Sequence, residues 1–149
     1  MIRSILIAGL LAGSVSAPLL AQDPKAVVGH RQNIIGSAGR AAVALNNIAK
    51  GDLNQEDHIA DIARLMAVAA AQAKAAFETD TRGADVKTDA KDLVWQDWDD
   101  FAERMDAYVV DAQKIADLAE AGQPDEMIST LRTTFRDHCK GCHDRYRKE

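Results

Sequence analysis

The sequence predicts an all-α fold, an antiparallel up-down four-helix bundle, and three observations carry that prediction. Alanine fills 27 of the 149 positions while β-branched runs are few, which favours helix over strand. Apolar residues recur at intervals of three and four along four separate segments, and no segment alternates as a strand does. Most of these segments are joined by short stretches marked by Gly or Pro, so consecutive helices pack as antiparallel neighbours.

Residues 1–21 stand apart from the bundle. Arg3 precedes an apolar run from Ile5 to Ala12, and small residues follow at Ser14, Ser16, Ala17 and Ala21. That order is the three-part pattern of a secretory signal peptide, removed from the mature protein. The run is too short to cross a hydrocarbon core of about 30 Å as a helix. Cleavage after Ala21 leaves residues 22–149 as one exported, periplasmic domain with 17 Lys and Arg against 23 Asp and Glu. An acidic balance argues against a nucleic-acid binder, and two cysteines cannot staple a miniprotein.

The first helix opens at Asp23-Pro24, an N-cap followed by a proline whose missing N–H costs nothing in the first turn. It is expected to run to about Lys50 and stop at Gly51. Asn54 can cap the second helix, whose apolar stripe is Ile59, Ile62, Met66, Ala69, Ala73 and Phe77. Residues 78–92 are polar and aperiodic, and read as a long exposed loop. The third helix spans about 97–121, with Trp98, Phe101, Met105, Tyr108, Ala112, Ile115 and Ala119 forming a 3-4 seam. Trp95 and Trp98 at its start are packing aromatics, and its acidic residues Asp97, Asp99, Asp100, Glu103 and Asp106 form a solvated face. Gly122 ends it, and Pro124 opens the last helix, which continues to about Arg147.

Both cysteines fall in Cys139-Lys140-Gly141-Cys142-His143, the attachment sequence for c-type haem. On one α-helix, positions i, i+3 and i+4 share a face, so both sulfurs and the imidazole can meet one planar ligand. The thiols then form thioethers and His143 ligates the iron. Three other readings compete. A zinc site could use His138, Cys139, Cys142 and His143, although four ligands crowded on one helix close a tetrahedron poorly. A redox dithiol belongs at a helix N-terminus after a strand, where the dipole lowers the thiol pKa. A plain disulfide leaves the adjacent histidine unexplained. A haem also answers a compositional oddity, because seven aromatic residues leave a bundle of alanine-rich helices short of bulk.

The mature chain, residues 23–149, resembles cytochrome c′, the class II c-type cytochromes, on the run Cys139 to Arg147 and on Arg31-Gln32 in the first helix. The resemblance implies an exported four-helix bundle with one covalent haem c per chain near the C-terminal helix. It implies that Cys139 and Cys142 are the thioether sites and His143 the axial iron ligand. Arg147 would sit beside the proximal haem face. Arg31, followed by Gln32, would pair with a haem propionate, and Ile35 would face the iron on the distal side. Low-spin relatives place a methionine on the first helix, and here that helix has none. The resemblance therefore implies a five-coordinate, high-spin centre that binds NO and CO and carries electrons to an unidentified redox partner. A low-spin class II cytochrome and a haem-free exported metal-binding bundle are the alternatives.

Other features extend or depart from that pattern. Family members commonly dimerise through their first two helices. Gly36, Gly39, Ala41, Ala42 and Ala44 would let a partner helix approach, or would serve intrachain packing and haem space. The stretch Ala71 to Ala76 lacks a tryptophan common in the family, and Lys74 within it faces either a propionate or solvent. His30 and His58 read as surface histidines, and His138 carries no assigned role. No nucleophile–base–acid constellation or phosphate loop supports an enzyme.

Overall fold

The computed structural model describes residues 22–149, and the expected signal segment 1–21 lies outside the described residues. Helix α1 is Pro24–Ala49, with Pro24 in its first turn and the Asp23 carboxylate accepting from Lys25 N–H at 3.1 Å. Gly51 follows at φ 77°, a left-handed conformation that ends the helix without steric cost. The Asn54 cap is not used. A 3₁₀ turn, Glu56–His58, leads instead into α2, Ile59–Ala73, which opens without a side-chain cap.

Helix α2 stops short of Phe77, and a second 3₁₀ turn, Ala75–Phe77, carries the chain out of the bundle. A helix absent from the sequence reading, α3 (Leu93–Gln96), precedes α4 (Trp98–Glu120). Gly122 at φ 64° closes α4, and Pro124 opens α5, Pro124–Thr134. The expected unbroken last helix is three pieces: α5, a π-helical stretch Phe135–Lys140, and α6, Gly141–Tyr146. Helix α1 packs on α2, α2 on α4, α4 on α5, and α5 returns to α1, which closes a four-helix bundle.

The interior has two unlike halves. Near the Gly51 and Gly122 turns, Ala41, Ala42, Ala63, Ala67, Ala70, Ala112 and Ala116 let the helices approach closely, and Leu45, Met66, Ile115, Met127 and Leu131 fill the spaces between them. Truncating such a leucine to alanine costs about 2–5 kcal/mol. At the opposite end the packing is aromatic. Phe77, Trp95, Trp98, Phe101 and Tyr146, five of the seven aromatic residues, gather there. Phe101 is their centre, 4.9 Å from Phe77, 5.7 Å from Trp98 and 5.2 Å from Tyr146 between ring centroids. The scarce aromatic bulk is therefore concentrated at one end.

Residues 78–92 form the expected long, largely exposed loop, with two tethers that their polarity does not reveal. Thr81 is buried, and the later part of the segment straps down on the C-terminus. Lys91 N–H donates to Tyr146 C=O at 2.8 Å, Lys148 N–H donates to Asp89 C=O at 2.7 Å, and Ala90 faces Arg147 in an antiparallel bridge. Main-chain hydrogen bonds hold this strap, and side-chain periodicity carries no trace of them. The acidic face of α4 is likewise only partly solvated, because Asp97 and Asp100 take cations from the last segment.

Candidate functional site

At the aromatic end lies a cavity of about 340 Å³, within the range of small-molecule sites. Helix α1 contributes Arg31, Gln32, Ile35, Gly36 and Gly39 to its wall, and α4 contributes Phe101 and Met105. The strap supplies Thr88, Asp89 and Ala90. Cys142, His143, Tyr146 and Arg147 close it from the chain's end. Six of the seven expected site residues thus meet here; Cys139 is absent from the lining. Cys139 sits in the wider π turn, whereas Cys142 and His143 belong to α6. Cys139 and Cys142 are both free and partly buried, and burial raises both thiol pKa values.

The glycines on α1 explain the room. A Cβ added at Gly39 would meet nothing, and one at Gly36 would meet only the Arg40 guanidinium, so this wall is bare backbone. Ala41 and Ala42 are buried in the alanine-rich core. Gly36 and Gly39 thus serve cavity space, and Ala41 and Ala42 intrachain packing.

Arg31 is the most constrained polar group of the site, with 3% of its surface exposed. Its Nε donates to Ala76 C=O at 3.1 Å, Nη1 to Thr81 Oγ1 at 3.2 Å and Nη2 to Thr79 C=O at 3.1 Å. The guanidinium lies between the Phe77 and Trp95 rings, 4.7 and 4.9 Å from their centroids. Among the described residues no carboxylate comes within ion-pair distance of it, and its nearest acid, Asp80, pairs with Arg82. Burial lowers its pKa, and the attraction of Asp80 only partly opposes that. A guanidinium has five N–H donors, so two remain for a ligand. A buried cation without a counter-charge suits a carboxylate-bearing ligand in this cavity.

His143 is partly buried, and burial holds its imidazole below the usual range; the Arg147 cation adds to this and Asp144 opposes it. Neutral imidazole is the metal-ligating form. Tyr146 is anchored below, its hydroxyl donating to Asp100 Oδ2 at 2.5 Å while Arg104 pairs with the same carboxylate at 2.6 Å. Ile35, also on the cavity wall, brings no lone pair. Met105, expected only as core, also reaches the cavity, whereas Met66 and Met127 lie in the other half.

Several residues resolve away from the site. Lys74 pairs with Asp106 on α4 at 2.5 Å, and His138 Nε2 meets Asp111 Oδ2 at 2.9 Å. His30 and His58 are exposed. Among the described residues, no group of three or more His, Cys, Asp or Glu is placed to hold a metal ion. The sequence reading missed Thr88, Asp89 and Ala90, for which no local signal exists, and Tyr146, whose place beside the motif could have marked it. An apolar slot with one imidazole, an adjacent thiol and a buried cation fits a metallated macrocycle bearing carboxylates.

Comparison with known proteins agrees. The Cytochrome C′ family model matches residues 26–147. A cytochrome c′ from Pararhodospirillum photometricum is 32% identical over 126 residues, spanning 85% of this chain and 99% of the relative. One from Rhodospirillum rubrum is 28% identical over 147 residues, with 99% of each chain covered. Among solved structures, the nitric oxide complex of a cytochrome c prime variant from Alcaligenes xylosoxidans superposes with a TM-score of 0.74 at 25% identity, covering 85% of this chain and 98% of that one.

Proposed function

Because this chain belongs to the cytochrome c′ family, whose cofactor is a c-type haem, we propose that it is a periplasmic, five-coordinate, high-spin haem protein that binds NO and CO and exchanges electrons with a redox partner. One observation carries the reading: the cavity presents His143 from α6 and the donor-free side chain of Ile35 from α1. Cys139 and Cys142 would hold the cofactor through thioethers, with His143 on its iron. Arg31 would take a propionate, Gln32 would stand at the rim, and Arg147 would flank the proximal face. When bound, the haem supplies one-electron redox chemistry and an open iron position.

The chain's own residues govern which gas is favoured. Ile35 crowds the distal space and offers no hydrogen bond, so an incoming O₂ gains nothing there, while CO and NO need no such donor. The nitric oxide complex of the Alcaligenes relative supports gas binding. The expected signal segment 1–21 supports export. Exposed Val43 on α1 and Leu65 and Val68 on α2 support a homodimer through those helices. Binding and electron carriage require no catalytic group, and the protein is read as a non-enzyme.

A low-spin class II centre has one observation in its favour, the thioether of Met105 in the cavity wall. Two measurements on exported protein test these readings. A pyridine haemochrome assay should give one covalent haem c per chain. The reduced visible spectrum without added ligand should lack the sharp α-band of a six-coordinate centre; its presence would favour the methionine-ligated alternative. Absence of covalent haem would leave the metal-binding bundle.

A further inference from the structure

The strap fixes Asp89 opposite the last turn of the chain. Its carbonyl accepts from Lys148 N–H at 2.7 Å, and the neighbouring Ala90 faces Arg147. Arg147 itself is held one turn after His143, with its N–H donating to His143 C=O at 3.0 Å. This register brings Arg147 Nη2 to Asp89 Oδ2 at 3.4 Å, with both residues on the cavity wall beside His143. Two nearby lysines bond to main-chain oxygens instead: Lys91 Nζ to Asp144 C=O and Lys148 Nζ to Thr88 C=O. Among the described residues, Asp89 is the single carboxylate lining a cavity that carries two arginines, Arg31 and Arg147.

We propose that Asp89 is a positioning residue of the proximal face: it holds the Arg147 guanidinium beside His143 and supplies the negative charge that offsets it at the redox centre. The proposal rests on the assignment of His143 as the iron ligand. A carboxylate at this place favours the oxidised, more positive state of the centre, and the arginine favours the reduced state. The two side chains are each about half exposed, at 54% and 57%, so salt screens their influence.

The test is the midpoint potential of holoprotein variants. Asp89→Asn keeps the side-chain shape and every main-chain bond of the strap, and is expected to shift the equilibrium three- to tenfold toward the reduced form, at most about 59 mV for one electron. Arg147→Gln is expected to shift it the opposite way, and the double variant to depart from the sum of the two. Asp89→Glu keeps the charge and should stay within about twofold of the parent, and 1 M salt should shrink the Asp89→Asn shift. A merely structural role for Asp89 moves the melting temperature and leaves the potential alone. An unchanged potential in Asp89→Asn, with haem attached, overturns the proposal; so does an Asp89→Glu shift as large as that of Asp89→Asn. Protein without covalent haem on the pyridine haemochrome assay overturns the underlying assignment instead.

Discussion

The guanidinium of Arg31 lies 4.9 Å from the ring centroid of Trp95, and the Trp95 indole N–H donates to Phe77 C=O at 2.8 Å. An arginine from α1 and a tryptophan from α3 thus grip the same connection from two sides. The segment from Ala76 to Thr81 needs both, because it carries the chain out of α2 toward the strap.

Replacing Arg31 with Ala should strip hydrogen bonds from Ala76 C=O, Thr79 C=O and Thr81 Oγ1 at once. Each buried polar group left unpaired costs about 1–3 kcal/mol, so a loss near 3 kcal/mol or more is expected. Arg31→Lys should recover little, since an ammonium lacks the planar fork. Urea denaturation of the holoprotein measures this, and a loss below 1 kcal/mol would show that the connection is held by Trp95 alone.

Asp100 gives the protein a defined acid sensitivity. Hydrogen bonds from Arg104 and then from Tyr146 lower its carboxyl from 3.8 to about 2. A carboxylate lowered in the folded state stabilises above its unfolded pKa, and that stabilisation is lost as pH falls from about 4 toward 2. Thermal melts should fall with acid across this window in the parent, and the fall should be shallower in Asp100→Asn and in Tyr146→Phe.

Ile35→Ala should open the distal wall while leaving haem attachment unchanged. CO association with the reduced protein is expected to quicken about tenfold, equivalent to about 1.4 kcal/mol of steric barrier. Flash photolysis reads the rate directly. An unchanged rate would place the gas path away from α1.

Removing both thioether sites, Cys139→Ser with Cys142→Ser, should leave no covalent haem after denaturing electrophoresis. The emptied cavity should also lower the melting temperature by about 10 °C, since the folded interior loses the contacts the cofactor would make there. Each single variant should retain one thioether, despite the different winding around the two cysteines.

The bundle was legible in the sequence because its signals are local. Capping by Asp23-Pro24, the stops at Gly51 and Gly122, the proline at 124 and the seam from Trp98 to Ala119 all act within one or two turns. The attachment motif was legible for the same reason, being five consecutive residues that include His143, whereas Arg147 was named through family resemblance. Arg31, Gln32 and Ile35 became site residues through family resemblance, since nothing local marks them.

What the tertiary structure decided is long-range. The loop expected over residues 78–92 is tethered at Asp89 and Lys91 by main-chain bonds to Lys148 and Tyr146, and because those bonds are indifferent to side-chain type, nothing in its polarity marked it as a cavity wall. The π turn at Phe135–Lys140 changes the winding inside a sequence whose apolar spacing reads as ordinary helix. Lys74, His138 and Met105 found their places only when α2, α4 and α5 closed around a common axis. The sequence by itself determined the four-helix plan and carried the haem-attachment motif. Packing alone determined the surroundings of that motif, because cavity walls are built from residues far apart in the chain.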